Sequence, residues 1–204
     1  MEILKRIASI LVFAFIVTMA NAQTSRQNIF AKSYDFEKAG NYNAAIKELT
    51  VLYKTDDYFV NLRMGWLCYL AKQYNKSISY YEKAIALKTY AIEAKFGLIK
   101  PLSAIENWDK VKAQYHEILK IDPQNTVANY WLGVIYYNRK DYPNANKLFE
   151  KVVNLYPLDY DSVIMLAWTK LRLGKTGEAK VLFNHALTLR PNDKSSLEGL
   201  GLIK

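Results

Sequence analysis

Asn129-Tyr130-Trp131-Leu132-Gly133-Val134-Ile135-Tyr136, followed by Asp141-Tyr142, Ala145, Phe149, Val152 and Pro157, decides the fold of this chain. The first segment places Leu132, Gly133 and Tyr136 on one face at helical spacings of one, three and four. Asp141 stands where a helix N-cap belongs, and Pro143 falls in the following first turn, where a missing N–H does little harm. Tyr142, Ala145, Phe149 and Val152 then form one apolar stripe of a second helix. Gly133 lets the two backbones approach closely, and Pro157 ends the unit because it cannot continue a helix.

The same pattern recurs along the chain. Ala45, Ser77, Val111, Ala145 and Ala179 head it, at spacings of 32, 34, 34 and 34 residues. Four residues after each come Leu49, Tyr81, Tyr115, Phe149 and Phe183; three further on come Leu52, Ala84, Ile118, Val152 and Ala186. A period of this length marks a helical repeat array. Such an array presents a surface for holding partners more readily than a site for chemistry.

These residues resemble the tetratricopeptide repeat, whose first helix carries Leu-Gly and Tyr, whose second carries Tyr, Ala, Phe and Ala, and which closes on Pro. The second-helix tyrosine stands here as Tyr42, Tyr74, Trp108 and Tyr142, with Thr176 in the fifth repeat. The Leu-Gly pair stands as Met64-Gly65, Leu132-Gly133 and Leu200-Gly201, and as Leu166-Ala167; the closing proline stands as Pro123, Pro157 and Pro191. The resemblance covers Asn28 to Lys204 and implies an all-α, right-handed superhelical solenoid of helix-turn-helix repeats. Five repeats are expected at about 26–57, 58–91, 92–125, 126–159 and 160–193, with a short capping helix over 194–204. Three departures stand out. Lys32-Ser33 replaces Leu-Gly in the first repeat, as suits a solvent-facing end. Pro101, with Gly97 before it, is expected to kink the first helix of the third repeat between Gly97 and Leu102, because an interior proline costs about 3 kcal/mol. The final segment is brief and carries Gly199 and Gly201, each worth about 1 kcal/mol of lost helix stability against alanine. Its residues Leu197, Leu200 and Ile203 form either an apolar edge for self-association or a minimal lid.

The first 22 residues do not belong to the array. Lys5 and Arg6 precede an uncharged apolar run from Ile7 to Met19, and Ala20-Asn21-Ala22 supplies small residues before Gln23. This is the layout of a secretory signal peptide cleaved after Ala22; the run falls short of the roughly 18 residues that a spanning helix needs. The expected mature chain is thus exported to the periplasm of a bacterium, or secreted, with no transmembrane segment. The formal net charge of +9 is dispersed, which favours a solvated surface over nucleic-acid binding. Cys68 is the only cysteine, so no internal disulfide can form, and its neighbours Trp66, Leu67, Tyr69 and Leu70 read as core.

In the family that the chain resembles, first helices line a concave face. Here that face would carry Phe30 and Tyr34; Phe59, Leu62, Arg63, Trp66 and Tyr69; Phe96 and Lys100; Tyr130, Val134, Tyr137 and Asn138; and Ile164, Trp168 and Arg172. Part of this set is expected to fill space between repeats. The rest would form a groove of Tyr and Trp faces with Arg63, Lys100 and Arg172 at its margins, the residue types that dominate interface energies. Some members of the family clamp an acidic C-terminal tail with Lys, Asn and Arg on successive first helices. Phe30 and Tyr34 stand on the corresponding face here, so the clamp is not carried over. His116 and His185 lie two periods apart, and no metal or nucleophile motif is present, so no catalytic residue, metal or cofactor is implied. The expected function is an exported, non-enzymatic scaffold that binds an envelope protein or peptide segment in an aromatic groove. The alternatives are a glycan-binding or peptidoglycan-binding module using the same rings, and a self-assembling structural protein.

Overall fold

The computed structural model describes residues 23 and 25–203, and the expected signal peptide lies outside them. Eleven helices run through the described residues, with no strand among them. They are α1 (25–38), α2 (Tyr42–Thr50), α3 (Tyr58–Leu70), α4 (Tyr74–Leu87), α5 (Ile92–Ala104), α6 (Trp108–Ile121), α7 (Thr126–Asn138), α8 (Tyr142–Leu155), α9 (Tyr160–Arg172), α10 (Thr176–Leu189) and α11 (Lys194–Gly201). First helices start at Tyr58, Ile92, Thr126, Tyr160 and Lys194, which is the 34-residue period itself. The fold is the all-α array of helix-turn-helix repeats that the period implies.

Local chemistry sets the punctuation. Asn41, Asp57, Asn107, Asn125, Asp141, Asp159 and Asp193 each cap a helix by accepting a backbone N–H three residues on. The turn inside each repeat passes through one residue with positive φ, namely Gly40, Lys72, Glu106, Lys140 and Gly174. Between repeats, the buried amide of Asn61 donates to the carbonyls of Lys54, Thr55 and Asp57 at 3.4, 3.1 and 2.8 Å. Asn129, also buried, donates to Pro123 and Asn125 at 3.1 and 2.8 Å. These bonds satisfy the buried amide N–H groups of Asn61 and Asn129 and tie each first helix to the turn before it.

The helices form two compact units, dividing between Glu106 and Asn107. In the first unit, Phe30, Ala45, Leu49, Val60, Met64 and Leu67 form a buried cluster, with Ile29, Leu52 and Trp66 packed against it. Cys68 is buried in α3, and burial pushes its thiol up to about 11, which suits a core residue. In the second unit, one cluster joins Val163, Ile164, Ala167, Ala179, Phe183 and Ala186, and another joins Ala145, Phe149 and Leu166. A Cβ added at Gly133 would stand 2.8 Å from the Phe149 ring, the close approach that its position implies.

Helices α5 and α11 bear on two of the expectations. Helix α5 is continuous from Ile92 to Ala104, and Pro101 sits in its last turn. The proline ring removes the N–H that would bond the Gly97 carbonyl, yet the helix runs unbroken between Gly97 and Leu102. At the C-terminus, Leu200 and Ile203 pack against the cluster around Phe183, leaving only Leu197 of the expected edge exposed.

Candidate functional site

In the first unit, α1, α3 and α5 bring Tyr34, Phe59, Leu62, Arg63, Trp66, Phe96 and Lys100 around one cavity of 470 Å³. Its wall also includes Tyr81 and Gly97, and Glu93. The rings are held before anything binds. Phe59 packs on Phe30 with ring centres 5.0 Å apart. The Arg63 guanidinium lies 3.9 Å from the centre of the Tyr34 ring. Trp66 Nε1 donates to Glu37 Oε1 at 2.6 Å, and Lys100 Nζ lies 5.6 Å from the Trp66 ring.

Glu37 was not legible as a site residue, yet it organises this wall. It ion-pairs with Arg63 while accepting from Trp66. Burial by itself would raise the Glu37 carboxyl; the bonds from Arg63 and Trp66, with the Arg63 charge, outweigh this and hold it below its ordinary value of 4.5. The sign follows from linkage: a lowered folded value adds stability that is full above 4.5 and lost as pH falls through the lowered value. Glu37→Gln is expected to cost about 1.5 kcal/mol, because it leaves the Arg63 charge unbalanced. In a protein keeping Trp66 as its sole tryptophan, that substitution should red-shift the emission at pH 7 and remove its acid transition. An unchanged acid transition would assign it to another carboxylate.

Several expected residues are placed differently. Arg63 is only 7% exposed and paired, so it braces the groove instead of standing at its margin. Phe30 is buried in the core, and Tyr69 lies off the cavity, between Trp66 and Tyr74. In the second unit the expected rings do not gather. Val134 and Tyr137 pack on the Phe149 cluster, and Arg172 is hydrogen-bonded to Tyr137. Ile164 is buried; Trp168 packs edge-on to Phe183 and donates to Ser195 Oγ at 2.8 Å. Asn138 is exposed, and Tyr130 lines a separate cavity of 340 Å³. The physical reason is packing: the second helix of the same repeat takes up Val134, Tyr137 and Trp168, and the succeeding helix adds Ser195 to Trp168.

The fold and this groove define a helical-repeat protein with a preformed aromatic concavity in its first unit. The chain is a tetratricopeptide repeat protein: models of that repeat match residues 60–89, 127–159 and 160–193. A tetratricopeptide repeat protein of Parabacteroides merdae has a similar structure, with TM-score 0.73 and 20% identity, covering 86% of this chain and 71% of that one. The structure of YrrB, described as a repeat protein of this kind with an unusual peptide-binding site, superposes with TM-score 0.69 at 14% identity, covering 85% and 91%. The tetratricopeptide repeat protein 21 homolog of Caenorhabditis elegans is 22% identical over 179 residues, which is 87% of this chain but only 14% of the relative's length. No helix among the described residues is long and apolar enough to cross a membrane.

Proposed function

We propose that this chain is an exported, non-enzymatic scaffold that holds an extended segment of an envelope protein in the aromatic groove of its first unit. The observation that carries the reading is the convergence of Tyr34, Phe59, Trp66, Phe96 and Lys100, from three first helices, on one cavity. Ring faces supply rigid contact area at low entropic cost, and Lys100 offers an exposed cation beside them. YrrB, with its peptide-binding site, supports the ligand class. The layout of residues 1–22 supports export to the periplasm or beyond.

The test is capture from a native envelope extract. Phe59 is half exposed, so Phe59→Ser with Lys100→Gln should leave the core intact. The wild type should retain a partner that the double variant loses at least about 10-fold, as expected when a central contact is removed. Trp168→Phe, in a ring packed within the second unit, should retain it. Equal capture by the wild type and the groove variant overturns the reading.

A further inference from the structure

The second unit carries a cavity with different chemistry. The start of α7, the end of α8 and the start of α9 enclose 340 Å³, walled by Val127, Tyr130, Trp131 and Tyr156. Trp131 is 49% exposed and Tyr156 57%, although rings of this size are ordinarily covered. Tyr130 and Trp131 meet edge to face at 5.3 Å, which fixes both rings. The charged residues lining the cavity are Asp159 and Asp161, both acidic, in a chain whose formal charge is +9. Asp159 caps α9 through Oδ2, which accepts from the Ser162 amide at 3.3 Å and from its hydroxyl at 2.5 Å. Burial first, and then the charges of Asp161 and Asp159, push the Tyr130 hydroxyl up.

We infer that this cavity takes the side chain of an arginine presented by a partner peptide. A guanidinium is flat, stacks on Trp and Tyr faces, and pairs with carboxylates through a fork of donors. The chain shows the same arrangement beside the cavity. Arg190 lies 3.7 Å from the centre of the Tyr160 ring, and its Nη2 is 3.8 Å from Asp161 Oδ1. That last separation exceeds a charge-assisted hydrogen bond, and both side chains are more than half exposed, so Asp161 keeps capacity for a second guanidinium. The inference is independent of the first-unit groove.

The test is an NMR titration of the full chain with the blocked peptide acetyl-Ala-Arg-Ala-amide, and with the same peptide carrying citrulline or lysine instead. The arginine peptide should give saturable shifts at the Trp131 indole and at residues 126–131 and 159–162. It should bind at least about 3-fold tighter than the lysine peptide, because lysine lacks the stacking plane. The citrulline peptide, equal in shape and uncharged, should not saturate. Asp161→Asn and Trp131→Ala should each weaken binding at least about 5-fold, whereas Lys100→Gln, in the first-unit groove, should not. Retained circular dichroism would show that both variants are folded. Absence of saturation at millimolar arginine peptide, equal binding of the citrulline peptide, or unchanged binding by Asp161→Asn would each overturn the inference.

Discussion

Phe183→Ala is expected to cost the second unit about 3–5 kcal/mol, the range for emptying a buried phenylalanine site. Phe183 is fully buried on α10, among Val163, Ile164, Ala167, Ala179 and Ala186. Trp168 packs edge-on to it at 5.2 Å. From the other side α11 closes down so tightly that a Cβ added at Gly199 would stand 2.2 Å from the ring tip. Three consecutive helices thus meet on one side chain, and none can collapse into the void without losing its own partners. In urea denaturation, a slope of about 2 kcal/mol per molar places the expected drop in midpoint near ~2 M. Phe183→Leu, which keeps most of the volume, should lose far less. A drop of under about 1 kcal/mol for the alanine variant would show that α9, α10 and α11 close up around the space.

How far the sequence reached follows from which residues decide what. The small, aromatic and aliphatic columns were legible because they pack within a repeat, where the register is local. Ala45, Leu49, Ser77, Tyr81, Ala84, Val111, Tyr115 and Ile118 are all buried, and Leu52 alone of the three columns is partly covered. The groove was legible in part. Which ring on a first helix stays open depends on what the neighbouring helices lay over it, and no spacing within one helix reports that. Arg63 illustrates the gap: Glu37, 26 positions earlier, removes it from the margin, and Tyr34 covers it. The turn contacts of Asn61 and Asn129 share one position of the period, but Lys95 occupies it in the third repeat, which hid the column. Gly199 read as a weakness of the last helix, whereas its bare backbone is what lets α11 seat on Phe183.

The groove and the core of the first unit share a floor, and Gly97→Ala is expected to damage both. Helix propensity alone predicts the opposite, since alanine favours a helix over glycine by about 1 kcal/mol. Packing decides the sign. A Cβ on Gly97 would stand 2.2 Å from Tyr81 Cε1 and 2.6 Å from Cζ, far inside van der Waals contact. The ring is sandwiched between two glycines: a Cβ added at Gly65 would stand 3.0 Å from its other edge, so the backbones of α3 and α5 both close on it and leave it little room to shift. Overpacking a core costs about 1–3 kcal/mol and occasionally more; a clash this deep belongs at the upper end, leaving a net loss of about 2 kcal/mol. Tyr81 and Gly97 both line the cavity, so the displaced ring should also weaken partner capture. The double variant carrying Tyr81→Leu separates the causes. Tyr81→Leu destabilises on its own, but adding Gly97→Ala to it should be neutral or stabilising, since the clashing ring is gone and the propensity gain remains. A coupling of about 2 kcal/mol in that cycle assigns the loss to the ring. Additive effects would instead place the strain of Gly97→Ala in the backbone of α5.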